Sequence, residues 1–173
     1  AYRLKKEKLI KLKKTSKIVI GNQSYKIKIF ENIIDGSEHF ALIKGKLTKK
    51  TTPRLRVISS NVVENYLINQ NIPNSFNRTI KYFKKFANCV LIFIRDPNLK
   101  SVSQTLRQYK SDDFYKKGQD RLIKNYGIGA QIIKSLNIKN MVLVTKSRKK
   151  VVGLEGYGIK IVKQEILKWK KKY

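Results

Sequence analysis

The stretch YGIGAQIIKSLNIKNMVLVTKSRKKVVGLEGYGIKIV, residues 126–162, decides the fold. Ile128, Ile132, Ile133 and Leu136 recur at helical spacing, which predicts a helix over Gly129 to Leu136 with one apolar face. Met141-Val142-Leu143-Val144 is an apolar run the length of a buried strand. Val151 to Tyr157 suits one or two helical turns, and Gly158 supplies the stop. Ile159, Ile161 and Val162 around Lys160 suit another short strand. Helix, strand, short helix and strand in succession predict an α/β fold.

Working outward, residues 90–95 (VLIFIR) read as a second buried strand. Glu38 to Gly45 and Arg54 to Ser59 read as two more, joined by the loop Lys49 to Pro53. Lys17 to Glu31 reads as a hairpin around the turn Gly21-Asn22-Gln23. In it Tyr25, Ile27 and Ile29 face one side, Lys26 and Lys28 the other. The organisation expected is a basic N-terminal arm over 1–16, one domain over 17–165, and a basic tail over 166–173.

Composition narrows the class. The 173 residues are enough for one real core, and the hydrophobic share of 41% is ordinary. The charge is not: 40 Lys+Arg stand against 11 Asp+Glu, a net +29. The one cysteine, Cys89, excludes an intramolecular disulfide, and its place beside Val90 to Phe93 suits a buried structural thiol. No apolar run reaches the roughly 20 residues of a membrane span, and no signal-peptide pattern is present. The chain begins at Ala1, which suits removal of an organellar presequence. The single histidine, His39, suits a structural role.

YGIGAQIIKSL, VLVT and VVGLEGYGIKIV, together with EHFALIKG (38–45), LRVIS (55–59) and VLIFIR (90–95), resemble GTP cyclohydrolase II in the family's order. The likeness covers roughly residues 17 to 165. It implies a mixed sheet with flanking helices. It also implies an ancestral activity, the zinc-dependent opening of the guanine ring of GTP, and a dimeric habit.

The resemblance carries the scaffold further than the chemistry. The family's three zinc cysteines fall on Asn61, Ile72 and Asn74, none of them a zinc ligand in this setting. Its nucleotide-contacting Glu-Gly-Arg falls on Pro97-Asn98-Leu99. Its aspartate base and nucleophilic arginine fall on Leu122 and Lys124. Arg56, Ser59, Thr145 and Lys150 do match GTP-contacting positions. They either touch a phosphate or are inherited residues without a ligand, and the sequence favours the second reading. The expectation is therefore a protein without catalysis, metal or cofactor.

What remains is charge. Lys5, Lys6, Lys8, Lys11, Lys13 and Lys14 stud the arm. Lys146, Arg148, Lys149 and Lys150 form a basic loop. Lys168, Lys170, Lys171 and Lys172 close the chain. With so little acid between them, these clusters point to a polyanion. The leading expectation is a basic, RNA-binding structural subunit of a ribonucleoprotein, most simply a mitochondrial ribosome. Its partners would be ribosomal RNA and neighbouring subunits, with no membrane and with a homodimer if the family interface survives. The alternatives are a residual GTP-binding protein, or a regulatory partner of an active cyclohydrolase paralogue. Outside an organelle, the cytoplasm is the expected location.

Overall fold

The computed structural model describes residues 7–60, 75–96, 100–109, 127–146, 148 and 154–167. Seven strands build one sheet: β1 (Ile10–Ile20), β2 (Gln23–Asn32), β3 (Glu38–Lys44), β4 (Arg54–Ser60), β5 (Cys89–Arg95), β6 (Asn140–Thr145) and β7 (Lys160–Ile166). Their order across the sheet is β1-β2-β3-β5-β4-β6-β7. The first three strands and β5 pair antiparallel, while β5, β4, β6 and β7 run parallel. This is the mixed α/β sheet that the sequence predicts.

Local chemistry fixes the elements. The β1–β2 turn needs only Gly21 and Asn22, both at positive φ (54° and 64°). Such a pair matches the twist of a two-residue hairpin. Helix α1 (Ser75–Phe83) buries Thr79, Ile80 and Phe83. Helix α2 (Ser101–Tyr109) follows β5. Among the described residues helix α3 covers 127–135, so it is already formed two residues before the start that the apolar spacing predicts and ends one residue before the predicted end. It ends on Asn137, left-handed at φ 57°. There the Ile138 N–H donates to Ile133 O at 3.3 Å and the Asn137 N–H to Lys134 O at 3.0 Å, a double closure of the last turn. Glu155–Tyr157 is a single 3-10 turn, stopped by Gly158 at φ 71° as expected.

Two cores sandwich the sheet. One gathers Phe30, Leu55, Ile92 and Met141 under Ala130, Ile132, Ile133 and Leu136 of α3. The other gathers Tyr25, Leu42, Ile58 and Leu91 under Ile80 and Phe83 of α1. Alternation along β2 is as predicted: Tyr25 and Ile27 join the α1 side, and Phe30, in step with Lys26 and Lys28, joins the α3 side.

Two expectations shift. The hairpin starts at Ile10 rather than Lys17, so Lys11, Lys13 and Lys14 stand on a strand. Leu9 and Ile10 are buried. At the other end Ile166 still belongs to β7 and Leu167 is buried. The apolar signal was masked because β1 is an edge strand, and lysines on an edge are how sheets discourage further pairing.

Candidate functional site

The topology itself marks a site. From β4 the chain moves through α1 to β5 on one side; the path to β6, ending in α3, then crosses to the other side of β4. The connection that leaves β4 carries α1 on one face, and the connection that reaches β6 carries α3 on the other. In parallel α/β sheets ligands bind outside the carboxyl ends of strands where this reversal occurs. The β4–β6 ladder here holds only Arg54↔Val142 and Leu55↔Leu143. Beyond those pairs the ladder does not continue, and the carboxyl ends of the two strands are where such a topology takes ligands.

Arg56 stands on β4 one residue past the last ladder pair. Its side chain shares the α1 face with Ile58. Arg56 is 3% exposed, and its Nη2 donates to Ser75 Oγ at 2.7 Å. Its Nη1 is buried with no hydrogen-bond partner among the described residues. Burial, and next the like charge of Arg78, lower the guanidinium to about 10. A desolvated cation with a cationic neighbour and an open donor is the electrostatic complement of an anion.

The other matched positions sit nearby but differ in setting. Ser59 lies three residues on along β4, on the opposite face from Arg56, and is exposed. Thr145 ends β6, is 9% exposed, and has a buried Oγ1 without a partner among the described residues. Lys146 and Arg148 follow it, exposed. Lys150 lies outside the described residues, as do Asn61, Ile72, Asn74, Pro97, Asn98, Leu99, Leu122 and Lys124. Ser75 and Arg78 escaped the sequence reading. The signal was there in their i,i+3 spacing, which puts both on one helix face.

The donor set does not fit the zinc of the ancestral chemistry. His39 and Cys89 are the only imidazole and thiol in the chain. The β3–β5 register pairs Phe40 with Phe93 and Lys44 with Cys89, so His39 lies level with Ile94. Five residues of strand put them roughly 16 Å apart, whereas zinc ligands lie within about 2.3 Å of one ion. Each is also engaged as structure. His39 Nδ1 accepts from the Arg95 N–H at 3.1 Å, and Nε2 faces Ser37 Oγ at 3.2 Å. Cys89 Sγ points at Phe83 O and Phe86 O, and burial, only partly offset by Lys44 and Arg54, pushes the thiol up to about 11. A thiol so held is neither thiolate nor ligand. Both residues have the structural roles expected of them.

A family model for GTP cyclohydrolase II matches residues 12–165. This chain belongs to the GTP cyclohydrolase II family. Among its relatives, the monofunctional riboflavin biosynthesis protein RIBA 2, chloroplastic, of Arabidopsis thaliana is 26% identical over 92% of this chain and 34% of its own length. The probable monofunctional RIBA 3, chloroplastic, of Oryza sativa subsp. japonica is 28% identical over 93% and 32%. RibBA of Chlorobium phaeovibrioides is 26% identical over 95% and 43%. This GTP cyclohydrolase II-like chain thus spans well under half the length of these relatives. A solved structure of RibBX, a two-domain 3,4-dihydroxy-2-butanone 4-phosphate synthase from A. baumannii, superposes with a TM-score of 0.61 over 98% of this chain and 43% of its own. At 19% identity it shows a shared fold.

Kinship with riboflavin biosynthesis proteins overturns the expected ribonucleoprotein role. The expected RNA and ribosomal partners fall with it, and so do the RNA contacts assigned to the arm, the 146–150 loop and the tail. The physical reason is that net charge governs solubility and non-specific attraction and does not specify a partner. Nor are all the lysines available: Lys13 is 2.9 Å from Glu38 and 3.5 Å from Glu31. The two plant relatives are named as chloroplastic, an organelle setting; none of the three is named as mitochondrial.

Proposed function

We propose that this protein is a non-catalytic member of the GTP cyclohydrolase II family that retains a phosphate-binding crevice, and that GTP or a similar nucleotide is what the crevice takes. The observation that carries this reading is Arg56: a buried guanidinium whose Nη1 has no partner among the described residues. Structural arginines in cores are paired, because an unpaired buried charge is costly. An anion at the crevice would accept from Nη1. Thr145 Oγ1 is a buried hydroxyl without a partner among the described residues at the carboxyl end of β6. Ser59 and Lys150 complete the set by family position.

Loss of catalysis is supported by residue chemistry. Asparagine and isoleucine at the zinc positions supply no thiolate, and leucine at the base position supplies no proton acceptor. The separation of His39 and Cys89 leaves no substitute pair. An organellar location draws support from the chloroplastic relatives; its mitochondrial refinement has only the sequence behind it.

Titration calorimetry of GTP against the wild type and Arg56→Met tests the proposal. The wild type binds GTP, and the variant binds at least about tenfold more weakly, the loss of one charge-assisted hydrogen bond. The variant also melts no lower than the wild type, because the substitution removes a buried uncompensated charge. A clear drop in Tm with GTP affinity unchanged would make Arg56 structural and refute the reading.

A further inference from the structure

A second cluster lies on the other face of the sheet, at the opposite end of the parallel strands. Lys26 and Lys28 of β2, Lys46 and Lys49 of the loop after β3, and Asn137 at the end of α3 line an open cleft of about 500 Å³. Its floor is Ile43, Leu47 and Leu136. Among the described residues no carboxylate lines it. None of its four lysines is in an ion pair among the described residues, whose bridges involve Lys13, Arg54 and Lys163.

Three features show that this arrangement is built in. Lys17 on β1 stands directly opposite Lys26, a like-charge cross-strand pair that a sheet tolerates only at a cost. Lys28 is half-buried, so its side chain is more confined than that of a fully exposed lysine. The loop is fixed in place: Gly45, at φ 78°, is so close to Ala87 and Asn88 that a Cβ there would lie 2.3 Å from Ala87 O and 2.4 Å from Asn88 Oδ1. Next to it the Lys46 N–H donates to Asn88 Oδ1 at 3.1 Å. The Thr48 N–H then donates to Thr51 Oγ1 at 2.9 Å, and Thr51 Oγ1 to Thr48 O at 2.8 Å, which closes the turn.

We infer that this cleft binds a phosphorylated small molecule, with its phosphate among Lys26, Lys28, Lys46 and Lys49 and its body over Ile43, Leu47 and Leu136. The volume falls within the range of small-molecule sites, and an apolar floor with a few convergent polar groups is their usual build. The phosphate would also neutralise the Lys17–Lys26 repulsion. This site is independent of the one at Arg56, since the two lie at opposite ends of the parallel strands.

The test is an amide chemical-shift titration of the whole chain with phenyl phosphate, inorganic phosphate and a hexaglutamate peptide in turn. Phenyl phosphate shifts Lys28, Lys46 and Asn137 saturably and binds at least about threefold tighter than inorganic phosphate, the gain from an apolar body. Lys28→Ser/Lys46→Ser weakens it at least about tenfold, and Lys46→Ser alone weakens it partway. Arg56→Met leaves it unchanged, which separates failure here from failure at the crevice. Shifts spread over all surface lysines without saturation would overturn the inference. So would equal affinity for phenyl phosphate and inorganic phosphate, or saturation by the peptide alone.

Discussion

Gln131 on α3 holds Leu9, 122 residues away, by accepting its backbone N–H on Oε1 at 2.8 Å. The same amide donates from Nε2 to Glu7 O at 2.9 Å. One side chain thus serves both a donor and an acceptor of the approaching main chain, as a neighbouring strand would. Leu9 and Ile10 are thereby buried, and Lys8 and Lys11 remain exposed on either side. This fixes the entry of β1 over α3.

Gln131→Ala leaves two main-chain groups without partners and should cost about 2 kcal/mol. Hydrogen exchange reads it locally. The Leu9 amide should exchange at least tenfold faster, while amides of β5 change only in step with global stability.

Arg54 and Glu165 close the sheet at β4 and β7 and define a second test. Arg54 Nε lies 3.0 Å from Glu165 Oε2 and Nη2 lies 3.1 Å from Oε1. Tyr82 of α1 donates to the same carboxylate, and the Arg54 guanidinium lies 3.5 Å from the centre of the Phe86 ring. Burial works to raise the pKa of Glu165, but the bonds from Arg54 and Tyr82 hold it below the usual value. Glu165→Gln should cost about 2 kcal/mol in chemical denaturation, less than a fully buried pair because Arg54 is partly exposed. The depressed folded value means that the wild-type contribution is complete above the unfolded pKa. It is lost as pH falls through the lower folded one, and Glu165→Gln should lack this acid-side decline.

His39 gives a pH dependence of its own. Burial lowers its pKa, against a smaller opposing pull from Asp35. The Arg95 N–H on Nδ1 requires the neutral ring to carry its proton on Nε2, facing Ser37. The unfolded chain therefore binds this proton at a higher pH than the folded one. Stability is complete above the unfolded value of 6.5 and declines as pH drops from there toward the folded value. Denaturation at pH 7.5 and 5.5 should show the loss, and His39→Gln should remove most of it.

The sequence carried the fold where burial is two-sided or one-sided in a regular rhythm. Met141 to Val144 and Val90 to Ile94 are apolar runs because α1 and α3 cover both faces of those strands. The Ile128, Ile132, Ile133, Leu136 spacing exists because α3 lies on one face. β1 was legible only from Lys17, since an edge strand with lysines at 11, 13 and 14 shows no apolar alternation. Its start depends on Gln131, a contact that no local pattern encodes. Arg56 and Thr145 were nameable from family position. That Arg56 is buried without a counter-ion among the described residues, with Ser75 and Arg78 beside it, follows from how α1 packs on β4. Lysine abundance was the misleading signal, because it reports a charge and leaves its purpose open.

Equilibrium dialysis of the intact protein against GTP in zinc-supplemented buffer, with the nucleotide recovered and analysed, tests the central claim most directly. Saturable retention of GTP and its recovery intact are the expected result. A ring-opened product in the recovered nucleotide, or no retention of GTP by the wild type, would contradict it.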